Sequence, residues 1–98
     1  MAFSSIDTLV DHAVKRAGLK KQVDTAVALE RATKIIRTIL GDDTDQTIRP
    51  AYIRYKTLTI ACIDSSAAAT VGMIDQEILD YVNEGQKYKI AERIGVIT

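Results

Sequence analysis

The chain has 98 residues, 47% of them apolar and 27% charged, with 13 basic against 13 acidic side chains. This length suits one domain with one core and leaves little room for a deep enzyme cleft. A net charge of +0 excludes a strongly basic nucleic-acid clamp, whose affinity grows with the number of phosphates neutralised, though not local binding. The composition is that of a globular, ordered chain. One cysteine forms neither an intramolecular disulfide nor a zinc site and fits a reducing cytosol. No run of ~18 apolar residues predicts a membrane span. The start, Met1-Ala2-Phe3-Ser4-Ser5, lacks the charged and apolar blocks of a signal peptide, so a cytoplasmic location is expected.

The first helix is expected over Ser5 to Ala17, where Ile6, Leu9, Val10, Ala13 and Ala17 recur at helical spacing. Ser4 can cap its start, with Asp7 three residues on, and Gly18 follows Lys15 and Arg16 at its end. A second helix is expected over Thr25 to Leu40, capped by Asp24, with Ala28, Leu29, Ala32, Ile35, Ile36, Ile39 and Leu40 on a wide apolar face. Gly41 ends it, and Asp42, Asp43 and Asp45 form a polar loop without the glycine and distal glutamate of a calcium site.

From Thr47 the pattern alternates. Ile48, Tyr52 and Arg54 share one parity, and Ala51, Ile53 and Tyr55 the other. Leu58, Ile60 and Cys62 then alternate with Thr57, Thr59 and Ala61. These two segments are too close for a crossover connection and predict an antiparallel hairpin, with Pro50 at an edge or at the strand's start. A third helix is expected from near Ser66 to Gly85, on the seam Ala67, Val71, Ile74, Ile78 and Val82, with Gly72 as a weak point or kink. The tail, Tyr88 to Ile97, fits either a strand or a helix by period. A third strand would steady the hairpin, so the strand is preferred.

Little in the chain suggests catalysis. His12 has no partner motif and reads as a surface or rim histidine. Cys62 sits in an apolar register and reads as a buried, inert thiol. There is no P-loop, GxGxxG, GxSxG or GxxG. No enzyme activity, metal or cofactor is expected. The basic residues are more informative in placement than in number. Lys15, Arg16, Lys20 and Lys21 cluster at the end of the first helix, Arg31, Lys34 and Arg37 lie along one face of the second, and Arg49, Arg54 and Lys56 bracket the hairpin with Tyr52 and Tyr55. Basic and aromatic residues together can track a nucleic-acid backbone and stack its bases. The candidate nucleic-acid contacts are Lys20, Lys21, Arg49, Tyr52, Arg54 and Lys56.

From Ile35 to Asn83 the chain resembles a known family. The residues are Ile35-Ile36-Arg37-Thr38-Ile39-Leu40-Gly41, then Pro50, then Leu58-Thr59-Ile60-Ala61-Cys62-Ile63-Asp64-Ser65-Ser66-Ala67, then a helix closing on Ile78-Leu79-Asp80-Tyr81-Val82-Asn83. Ala17-Gly18-Leu19 also fits. These are similar to the DciA-like domain family, bacterial proteins tied to loading of the replicative DNA helicase. The chain departs from the family by having no tryptophan and by carrying Lys56 where a hairpin glycine is common. The resemblance implies an α+β, KH-like domain, with helices on a three-stranded sheet in the order α-α-β-β-α-β. It implies a non-enzymatic adaptor that contacts the replicative helicase, with single-stranded or forked DNA as a second partner. The alternative from the residues alone is a protein-interaction or homo-oligomerisation module, using an open edge near Ile94, Val96 and Ile97.

Overall fold

The computed structural model describes residues 5–18 and 23–98. Helix α1 (Ile6–Ala17) starts at Ser5, whose extended backbone lets its Oγ accept the Thr8 amide at 3.3 Å. Ser4, the expected cap, lies outside the described residues. Gly18 closes the helix in a left-handed conformation (φ 66°) and donates its amide to the Lys15 carbonyl. Helix α2 (Val23–Leu40) begins two residues before the expected Thr25, so that Asp24 falls inside its first turn. Ala28, Ala32 and Ile36, four residues apart, form its fully buried stripe, and the two alanines allow close approach to its neighbours. A short 3-10 turn (Asp42–Gln46) leads into the sheet.

Strands β1 (Ile48–Arg54) and β2 (Thr57–Cys62) form the antiparallel hairpin, and β3 (Arg93–Ile97) lies parallel to β2 on its other side. The tail is therefore a strand over its last five residues, while 88–92 run irregularly into it. Pro50 is accommodated because β1 is an edge strand. The pairing shifts between Pro50, opposite Ile60, and Tyr52, opposite Thr59, which leaves Ala51 as the extra residue of a bulge. The bulge corrects the parity read from the sequence. Ile48 and Ile53 have opposite parity, yet both are buried in the same core cluster.

The third helix is two helices, α3 (Ser65–Met73) and α4 (Asp75–Asn83), separated at Ile74 (φ −121°, ψ 15°). Asp64 caps α3 by accepting the Ala67 amide at 2.8 Å. The expected order α-α-β-β-α-β thus holds with its fifth element divided, giving an α+β fold on a mixed three-stranded sheet.

The sheet is covered on both faces. On the inner face Leu58, Ile60 and Cys62 meet α2, α3 and α4 in the main core, with Val71, Ile78 and Val82. On the outer face Ala61 meets Ile6 and Leu9 of α1. Burying Ile6 and Leu9 contributes about 1.5–3 kcal/mol each. Two side chains secure the end of α4. Arg31 of α2 donates to the Glu84 carbonyl at 2.7 Å. The Asn83 amide clips the segment before β3, accepting from Ile90 N (2.8 Å) and Ala91 N (3.2 Å) and donating to Ala91 O (2.8 Å).

Candidate nucleic-acid interface

Helix α1 crosses the outer face alongside β1, held at both ends by arginines of that strand. Arg49 pairs with Asp7 in the first turn, and Arg54 Nη1 donates to the Ala17 carbonyl at 2.7 Å in the last. The lengths agree: ten helical residues rise about 15 Å, and five strand steps span about 16 Å. A cation at the helix C-terminus also meets the negative end of its dipole.

Because α1 packs tightly only through Ile6 and Leu9, its C-terminal half and the sheet enclose a cleft of about 590 Å³. His12, Arg16 and Ala17 line it from the helix, Tyr52 and Arg54 from β1, and Ile97 and Thr98 from the chain's end. Arg16 Nη2 lies 3.3 Å from His12 Nε2. Arg54 is exposed and uses two of its five donors, on Ala17 and on the Tyr55 hydroxyl (3.3 Å).

The candidate residues divide by electrostatic partner. Among the described residues three ion pairs form: Arg37–Asp45, Arg49–Asp7 and Lys56–Glu92. Arg49 and Lys56 are therefore each matched by a carboxylate, and Arg49 also donates to the Asp45 carbonyl at 3.3 Å. Arg31, read as part of a basic helix face, caps α4. Arg16 and Arg54 have no carboxylate within ion-pair distance among the described residues, and the cleft gathers them with Tyr52. Lys20 and Lys21 lie outside the described residues. Arg16 and His12 are the ionisable lining residues that the sequence left off the candidate set. Their four-residue spacing on one helix, facing the same side as Ala13, is the signal that could have found them.

Two other places fit an anion less well. The turn from α3 to α4 opens on Asp75 and Glu77, and α3 has no basic residue in its last turn. The Arg37 hydrogen bond holds the Asp45 carboxyl below its usual range, which keeps that pair ionised and closed on itself. Burial pushes the Cys62 thiol up to about 11, with Asp64 adding to the effect, so it is a neutral core group.

Residues 5–96 match the family model described as Dna[CI] antecedent, DciA. The chain belongs to the DciA family. The match spans the whole core and the cleft apart from Ile97 and Thr98, so the resemblance read from the sequence holds over nearly the whole chain. The DciA family is a family of bacterial helicase loaders, and its role lies in DNA replication. Comparison with curated proteins returns no match. Among the described residues no helix is long and apolar enough to cross a membrane.

Proposed function

We propose that this chain is a non-enzymatic replication accessory protein of the cytoplasm, which engages the replicative helicase and holds single-stranded DNA across the α1–sheet cleft. The observation that supports the DNA contact is the distribution of partners among the described residues: Arg16 and Arg54 at the cleft lack carboxylates, while Arg37, Arg49 and Lys56 have them. A phosphate placed in the cleft would meet two guanidiniums and the Tyr52 ring, and would displace no ion pair. Such contacts position a backbone without reading its sequence. They also allow binding by a chain of zero net charge, because the field is local.

Two experiments test the two halves. Co-sedimentation with the purified hexameric helicase should recover this chain, and its absence from the complex would refute the adaptor role. Anisotropy with a labelled oligonucleotide at low salt should show binding that Arg16→Gln with Arg54→Gln abolishes. Equal binding by that double variant would remove the cleft from the reading.

A second reading is supported by β3. It is an edge strand, and its Val96 is 45% exposed. An open edge can pair with a strand of another chain. Sedimentation at several concentrations tests this, and a monomer at every concentration would exclude self-pairing.

A further inference from the structure

The β1–β2 hairpin turns through Tyr55 and Lys56, both with left-handed backbone (φ 52° and 58°). Two successive positive φ values belong to the type I′ turn, whose twist suits a hairpin and whose favoured residues are Asn and Gly. A tyrosine there is a steric outlier. Burial does not explain it, since Tyr55 is 80% exposed. The Lys56 side chain makes an exposed pair to Glu92 at 3.5 Å, and its carbonyl accepts the Glu92 and Arg93 amides at 2.7 and 3.3 Å, backbone bonds that glycine at either turn position would keep. Strained residues of this kind cluster at ligand clamps.

The ring is nevertheless held. The Arg54 guanidinium sits 4.9 Å from its centroid and donates to its hydroxyl, while its other arm is fixed on the Ala17 carbonyl. Tyr55 is thus tethered, through a residue that lines the cleft, to the end of α1. An exposed aromatic ring fixed beside a guanidinium that has no carboxylate partner among the described residues is what a nucleobase needs when its phosphate is already held.

The geometry points to Tyr55 as a stacking platform for an unpaired base of a single strand whose phosphates occupy the α1–sheet cleft, an inference that rests on the DNA-binding reading above. The strained turn keeps the ring at the tip, where Asn and Gly would give an easier turn and no platform.

The test compares a labelled oligothymidine with the same strand carrying abasic sites, by anisotropy on the full chain. Both have the same phosphates, so the ratio of affinities reports stacking. The wild type should prefer the thymidine strand by about 5- to 150-fold, equivalent to about 1–3 kcal/mol for one stacked base. The double variant Tyr55→Asn with Lys56→Gly should melt at a higher temperature than the wild type, lose the preference, and bind the abasic strand as the wild type does. Tyr55→Phe, and Lys56→Gly alone, should keep the preference. A double variant that discriminates like the wild type overturns the platform and leaves the cleft standing. A fall in affinity for both strands together also overturns it, because Tyr55 would then be shaping the cleft. A wild type that binds neither strand at low salt refutes the DNA-binding reading itself, and the platform with it.

Discussion

Replacing Asn83 by alanine tests whether the clip before β3 holds the sheet together. The side chain makes three hydrogen bonds, to Ile90 N, Ala91 N and Ala91 O. Ala91 is fully buried, with 0% exposure, so water cannot replace its two partners without opening the core. A buried polar group left unsatisfied costs about 1–3 kcal/mol. Counting only the Ala91 amide and carbonyl, and neglecting Ile90, the variant loses about 2–6 kcal/mol. That is a large share of the roughly 5–15 kcal/mol expected of a whole domain this size. At about 4–8 °C per kcal/mol for such a domain, Tm should fall by at least about 8 °C. Thermal melts give the size, and hydrogen exchange gives the place: Ile90, Ala91 and the β3 amides should lose protection ahead of α2. Asn83→Asp, which keeps the acceptor and loses the donor, should fall between. A drop under about 4 °C, or about 1 kcal/mol, with Ile90 and Ala91 still protected, would refute the reasoning.

Gly72→Ala should stabilise the chain by about 0.5–1 kcal/mol. Gly72 lies within α3 without a positive φ, and an added Cβ meets nothing within 4 Å; denaturant titration reads the shift. Cys62 should resist alkylation at pH 8 in the native state and react once denatured. Its thiol ionises near 9.0 when unfolded and near 11 when folded, so it supports the fold below pH 9 and that support is lost as pH rises to 11. Cys62→Ala should remove this alkaline component from the pH dependence of Tm. Asp45 has the opposite sign, its folded pKa being lowered from 3.8 by Arg37. Its contribution is present above that value and disappears as pH falls below it. Asp45→Asn should therefore flatten the acid limb of the same Tm profile.

The helices were legible because their apolar stripes are local. α1 and α2 follow the spacing of Ile6 and Leu9 and of Ala28, Ala32 and Ile36, which needs nothing from the rest of the chain. The break at Ile74 was not legible. Val71 and Ile78 stay on one buried side across it, so a stripe interrupted by one non-helical residue reads as continuous. The bulge at Ala51 was hidden for the reverse reason: alternation assumes an unbroken ladder, and only the pairing with Ile60 and Thr59 reveals the shift. Of the candidate residues, Tyr52 and Arg54 meet at the cleft because they neighbour each other on β1. The commitments of Arg49 and Lys56 could not be read in advance. Their carboxylates, Asp7 and Glu92, lie 42 and 36 residues away in sequence and reach them only through the packing of α1 and of the segment entering β3.

The sharpest test of the cleft is the salt dependence of single-stranded DNA affinity in the wild type and two double variants. Removing one cation that neutralises a phosphate should flatten the logarithmic slope by about 0.7. Arg16→Gln with Arg54→Gln should flatten it by about 1.4. Arg49→Gln with Lys56→Gln, which removes cations already matched by Asp7 and Glu92, should leave the slope near the wild-type value. The reverse pattern, with the ion-paired residues governing the slope and the cleft arginines without effect, would contradict the account.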